Sequence, residues 1–368
     1  MLGTSKLQQR GNHRFGFNVT RRLVLTTFGD IDVNDPFFDS LKAGYDGFED
    51  WFASKSGHEV FAVRDGDETL SGMLYLKEES GEIVDVEPPL PAAKWLKVGT
   101  MKIVGRGTKL GERVLKKILD SAIHLDCDGV YVTVFEVHGS LIDLFKRYGF
   151  VEHGRKITQR GEELVLKRDL QQIWHNSLLD YPFFKVKGRR AWILAIYPDY
   201  HTAIFPDSIL NNEPEEIVKD VSHTNTIQKV YIGGVSLTRM TEGDLVIFYR
   251  TTDKQAPAFY RSVATSVCVI QETKSRADFD SETEFLEYSL QHSVFSEAEL
   301  RAKYRNDNRL YVAKVTYNAA FNRRVTRGRL LEEALITEHP RWDLREITLR
   351  QFRHILEMGQ VNARLAID

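Results

Sequence analysis

Cysteine is scarce in this chain of 368 residues: Cys127 and Cys268 are the only two. They stand near apolar strands in different halves of the chain, which argues against a disulfide framework or a zinc site, and no metal is expected. Buried reduced thiols are the simpler reading. Long apolar runs are also lacking, since none approaches the roughly 20 residues that cross a bilayer. Met1 to Arg14 is polar and has no apolar signal-peptide core, so a cytoplasmic protein without membrane contact is expected. Charge of one sign is missing as well. The formal net charge is −2 and neither half is basic, so any nucleic-acid contact has to come from a local patch.

What is present is core-forming material. Hydrophobic residues make up 42% and aromatics 11%, which supports a folded chain, and the length suggests two domains. Positions 19–28 read as a strand. Phe37 to Ser54 reads as a helix because Phe38, Leu41, Tyr45, Phe48, Trp51 and Phe52 recur at three and four, and such a stripe is core before it is a substrate box. Glu59 to Val63 and Ser71 to Lys77 are expected to pair across Asp65-Gly66-Asp67. Pro88-Pro89-Leu90-Pro91 breaks a ladder and reads as a loop, either a connector or the border of a cleft.

The most informative stretch is Lys94 to Leu119. An apolar strand (Trp95, Leu96, Val98, Met101, Ile103) runs into Arg106-Gly107-Thr108-Lys109-Leu110-Gly111 and then into a basic amphipathic helix. The first N–H groups of that helix lack internal partners and carry the positive end of its dipole, so the turn can cradle a pyrophosphate. Gly99, isolated in the strand, marks a bulge, a close backbone approach or a merely tolerated glycine. A second strand, Val130 to Val137, is followed by Leu141-Ile142-Asp143-Leu144-Phe145-Lys146-Arg147-Tyr148-Gly149-Phe150, a short helix ending in Gly-Phe.

Together these pieces resemble the GNAT family of acetyl-CoA-dependent N-acetyltransferases, over roughly residues 15–168. The family signature is Arg/Gln-x-x-Gly-x-Gly/Ala opening a helix and, one strand later, a helix ending Gly-Phe. Arg106 and Gly111 fit it, whereas Lys109 stands where the first motif glycine usually lies. The resemblance implies acetyl-CoA as cofactor, held by Met101, Ile103, Arg106, Gly107, Thr108, Lys109, Leu110, Gly111 and Glu112. The family's general-acid tyrosine would fall at Phe145, so the thiolate-protonating hydroxyl is absent there, and Tyr148 is the nearest substitute. Glu136 and His138, at the end of the second motif strand and on one face by alternation, are the candidates for stripping a proton from the amine, although a strand-end Glu is more often solvated.

The last strand of this half is expected at Glu163 to Lys167. Beyond it, Ala191 to Tyr197, Lys229 to Ile232, Asp244 to Tyr249, Arg261 to Ile270 and Leu310 to Tyr317 read as short strands, interrupted by one long helix, Glu282 to Lys303. Gly243-Asp244-Leu245-Val246-Ile247-Phe248-Tyr249, Val267-Cys268-Val269-Ile270 and Ile347-Thr348-Leu349-Arg350-Gln351-Phe352 resemble the PUA-like superfamily with its ASCH and EVE branches, over roughly residues 185–358. The expected fold is thus α+β: a GNAT-type mixed β-sheet flanked by helices (1–170), a linker (171–184) and a PUA-like β-barrel with a helical insertion (185–368). That resemblance implies RNA or modified bases as ligands. Arg323, Arg324, Arg327 and Arg329, with Lys187, Arg189 and Arg190, could line a phosphate-binding surface, and Trp192, Tyr197 and Tyr200 could stack on bases. A lone His201 without a spaced partner makes no metal site. The expected function is acetyl transfer to an RNA (a tRNA) or protein acceptor. A non-catalytic regulator that binds CoA or RNA, and a toxin or defence acetyltransferase acting on the translation machinery, stay open, as does pairing into an oligomer.

Overall fold

The computed structural model describes residues 22–64, 69–104, 110–159, 161–205, 226–255 and 257–368. A seven-stranded sheet holds β1 (Arg22–Thr27), β2 (Glu59–Arg64), β3 (Leu70–Ile83), β4 (Leu90–Ile103), β5 (Gly129–Val134), β6 (Val151–Thr158) and β7 (Gly161–Asp169), in the order β1-β2-β3-β4-β5-β7-β6. Every neighbouring pair is antiparallel except β4 and β5, which run parallel and need a crossover. That crossover is α3 (Leu110–His124), amphipathic and buried along Val114, Leu115, Ile118, Leu119 and Ala122.

The segment expected as one helix from Phe37 is broken. Pro36 starts a 3-10 turn, α1 covers Asp39–Gly44, and α2 (Phe48–Ser54) begins after Gly47, whose φ of +74° no helix accommodates. Its aromatic stripe is nonetheless core: Phe38, Phe48 and Phe52 are buried, and Phe28 packs edge-on against Phe52 at 5.0 Å. The proline segment is partly strand, because Leu90 and Pro91 already belong to β4. The expected hairpin pairs as β2 with β3, although Asp65-Gly66-Asp67 lies outside the described residues.

A second sheet has the order β10-β13-β12-β11-β9-β14. Its strands are β9 (Ala191–Ile196), β10 (Gln228–Gly233), β11 (Leu245–Arg250), β12 (Val263–Ser275), β13 (Tyr311–Thr326) and β14 (Leu344–Ile347). Two short strands, β8 (Phe184–Lys185) and β15 (Ala366–Ile367), pair parallel beside it. Register shifts at three places between β12 and β13 bend this long ladder. The expected helix over 282–303 is two helices, Glu282–Leu290 and Glu297–Asn306, because Ser296 and Glu299 form a capping box that starts the second. The architecture is α+β, as expected.

One buried apolar cluster runs through both sheets. It contains Val114, Leu115 and Ile118 of α3 together with Ile227, Leu245, Ile247 and Val325. Arg168, only 1% exposed, ties the same junction: its guanidinium donates to the carbonyls of Tyr148 (2.8 Å), Tyr181 (2.9 Å) and Leu179. Burial pulls its pKa down to about 10, although the charges of Asp180 and Asp169 oppose this.

Candidate functional site

The parallel pair β4/β5 is in register only from Trp95↔Gly129 to Val98↔Val132. Beyond it β4 stays with β3 as far as Gly72↔Ile103, and β5 stays with β7 as far as Val134↔Leu164. The two strands therefore part in mid-sheet, leaving a wedge between backbones. Gly99 sits at the parting. Tyr75 faces Thr100 while Leu76 faces Val98, so Gly99 is the extra residue of a bulge, one of the readings the sequence left open. A Cβ at this position would come within 2.8 Å of the Tyr75 ring, which is why the bulged residue is glycine.

The bulge resets side-chain alternation. Leu96 and Val98 face α3, and beyond the extra residue Met101 and Ile103 continue that face as half-buried side chains. Lys102 points the other way, donating to the Phe37 carbonyl and to Ser40 Oγ at 2.5 Å. There it lines an open cavity of about 730 Å3 with Asp35, Phe37 and Asp39, and burial lowers its pKa although Asp39 opposes this.

Of the expected cofactor contacts, Arg106, Gly107, Thr108 and Lys109 lie outside the described residues. Leu110 is core at 1% exposure. At Gly111 α3 crosses α4 (Gly139–Arg147), and a Cβ there would come within 2.9 Å of Leu144 Cδ2, the end of a flexible side chain. Glu112 is buried and accepts the Tyr148 hydroxyl.

The three candidate catalytic residues are not brought together. Glu136 and His138 belong to a 3-10 turn, Glu136–His138, and not to β5, which ends at Val134, so alternation places neither of them. Both are exposed, and Glu136 pairs with Arg155 at 3.3 Å. Tyr148 is fully buried, with its hydroxyl turned toward Glu112 and accepting from Gln228 Nε2 at 3.4 Å. Burial, then the charge and hydrogen bond of Glu112, push its pKa far up. Such a phenol is poorly placed to act as an acid. Phe145 is buried against Phe150, with ring centroids 4.8 Å apart.

Sequence reasoning missed a group on the opposite face of the sheet, beside the parting. Tyr131 donates to Glu79, Lys77 is 2.7 Å from Glu79, and Lys97 lies 3.7 Å from Glu79 and 5.3 Å above the Tyr131 ring. Burial raises the Glu79 pKa, but the hydrogen bonds from Lys77 and Tyr131 and the charge of Lys97 outweigh it and hold the carboxyl below its ordinary value. The available signal was alternation: Lys97 stands between core residues Leu96 and Val98, and Tyr131 between Val130 and Val132.

The basic residues of the second sheet fall into two separate groups. Arg190 precedes β9 and pairs with Asp244 at 2.8 Å, at the start of β11. Arg327 follows β13 near the other end of β11, a six-residue strand of roughly 17–20 Å. Arg327 pairs with Glu338, and Arg329 pairs with Glu333 at 2.5 and 2.8 Å. Arg324 is half-buried and donates to the Phe321 carbonyl. Lys187 and Arg323 are exposed, and Arg189 is half-buried. Trp192, expected to be an exposed stacking aromatic, is fully buried and donates to Asp244 at 2.9 Å, whereas Tyr197 is 71% exposed. His201 is buried against Thr265 at 2.7 Å. Among the described residues no cluster suits a metal, and no helix is long and apolar enough to cross a membrane.

No family model and no curated protein matches the chain. Among solved structures, an ASCH protein from Zymomonas mobilis is similar at 10% identity over 46% of this chain and 94% of its own, with a TM-score of 0.31. A GNAT-family acetyltransferase from Streptococcus agalactiae 2603 is similar at 13% identity over 40% and 95%, with a TM-score of 0.31. A chain from the NatC complex bound to Gag peptide and CoA is similar at 14% identity over 40% and 98%, with a TM-score of 0.29.

Proposed function

We propose that this chain is an acetyl-CoA-dependent N-acetyltransferase of the cytoplasm. The observation that carries the reading is the parting of β4 and β5 beyond Val98↔Val132 at the Gly99 bulge, with α3 following directly in the chain. A wedge of this kind leaves alternate backbone N–H groups between Thr100 and Ile103 without a partner strand on the β5 side, so they can bind the amide chain and thioester carbonyl of a coenzyme. The diphosphate would meet the N-terminus of α3 and the residues ahead of it, Arg106 and Thr108. A neutral amine would approach from the face of Glu79, Lys97 and Tyr131 and attack the carbonyl carbon, the C–N bond forming as the C–S bond breaks, with the proton shed by nitrogen passing through water to the departing thiolate. We further propose that 1–170 and 185–368 are two domains joined by 171–184, and that the second brings an RNA or nucleotide-bearing acceptor such as a tRNA. Exposed Lys187, Arg323 and Tyr197 support that role, since Arg190, Arg327 and Arg329 are held by carboxylates.

Calorimetric titration with acetyl-CoA tests the first half. Wild type binds and Arg106→Glu weakens binding more than about tenfold, whereas absence of wild-type binding ends the reading. Labelled acetyl transfer into whole-cell RNA and protein fractions identifies the acceptor class. One observation favours a regulator that binds CoA without turning over: Phe145 fills the acid position and Tyr148 is committed to Glu112. Binding without label in either fraction would select it.

A further inference from the structure

We propose that Tyr148, Glu112 and Gln228 form a positioning bridge by which the second sheet fixes the first turn of α3, making Gln228 of β10 part of the coenzyme site. This rests on the acetyl-CoA reading above. Glu112 lies in the first turn of α3, Tyr148 directly follows α4, and Gln228 opens β10, so the bridge joins three elements far apart in sequence. The Tyr148 hydroxyl donates to Glu112 Oε1, and Gln228 Nε2 donates to the same hydroxyl oxygen at 3.4 Å. Tyr148 is 0% and Glu112 6% exposed. A buried carboxylate is tolerated only where hydrogen bonds hold it, and in a helix's first turn the dipole adds to that hold, so Glu112 has one stable position.

Tyr148 is anchored from its other end too, because its carbonyl accepts from Arg168 at 2.8 Å. The contact with the second sheet continues one turn along the same face of α3. Lys116, four residues after Glu112, sits 5.3 Å above the Tyr317 ring of β13 and 2.5 Å from Asp120. The axial rotation of α3, set mainly by its apolar face on the first sheet, is thus also held by partners on the second, and with it the orientation of Leu110 to Glu112, which are among the expected coenzyme contacts.

The test uses the full chain with Tyr148→Phe, which keeps the ring and removes the hydroxyl, and Gln228→Leu. Three quantities are read: the Kd for acetyl-CoA by calorimetry, the thermal midpoint, and hydrogen exchange at residues 110–116 without ligand. Expected are faster exchange in that turn and a Kd raised about tenfold in Tyr148→Phe, with a smaller rise in Gln228→Leu. The midpoint should fall by a few degrees in Tyr148→Phe, because buried Glu112 loses a donor, and less in Gln228→Leu, with both variants folded at the titration temperature. If wild type binds and both variants bind as tightly, the bridge is overturned, and a turnover defect at unchanged Kd would assign Tyr148 to acid chemistry instead. If wild type does not bind, the coenzyme reading fails, and unchanged exchange at 110–116 then independently overturns the bridge.

Discussion

Gly149 carries a physical reason for the Gly-Phe ending of α4. Its φ is +81°, and the Arg168 guanidinium occupies the space a Cβ would need. Gly149→Ala should therefore lower stability by roughly 2–4 kcal/mol in urea denaturation. His201 gives a pH signature. Its pKa falls from 6.5 to about 3, through burial first and the charges of Arg250 and Arg324 second. A depressed folded-state value means the unfolded chain takes up the proton first, so this contribution is complete above pH 6.5 and is lost as pH falls toward 3. The expected slope is about 1.4 kcal/mol per pH unit across that window, and His201→Gln should flatten it. The cysteines belong to the same scale: both are buried and burial pushes both thiols up, so a thiol reagent should label neither until the protein unfolds.

At the scale of elements, the apolar strand, the helix from Leu110 and the Gly-Phe helix were legible because each depends on local chemistry, whereas Gly99 stayed open between a bulge and a tolerated glycine. β6 was not, since its Val-Glu-His-Gly-Arg-Lys-Ile-Thr sequence lies at a sheet edge with little burial and so carries no apolar alternation. The break at Gly47 was hidden by an aromatic stripe that two short helices satisfy as well as one. Glu136 and His138 were misplaced because the end of β5 is set by its pairing with β7, a long-range contact. The close crossing of α3 over α4 yields another expectation. Gly111→Ala should change stability by less than about 1 kcal/mol, because the new Cβ meets only the end of the Leu144 side chain, which can turn aside, and alanine favours the helix. If acetyl transfer is found, its rate should rise with pH and show no falling limb from a tyrosine acid, because Phe145 has no hydroxyl to titrate.

For the whole molecule, length pointed to two domains, and the core shared by the seven- and six-stranded sheets could not be read from either half alone. Ile227, Leu245 and Val325 meet Val114 and Ile118 only once the chain is folded. Urea unfolding is therefore expected to be one cooperative transition by both tryptophan fluorescence and far-ultraviolet circular dichroism; two separated steps would mean the shared cluster contributes little. The placement of α3 against β10 and β13 has a consequence for anything that lands on the second sheet. If a coenzyme loads this helix and an acceptor lands on that sheet, as proposed above, the two affinities are thermodynamically linked. Whatever factor an acceptor adds to coenzyme affinity, the coenzyme must return to the acceptor, so a titration of either one in the presence of the other measures a single coupling constant.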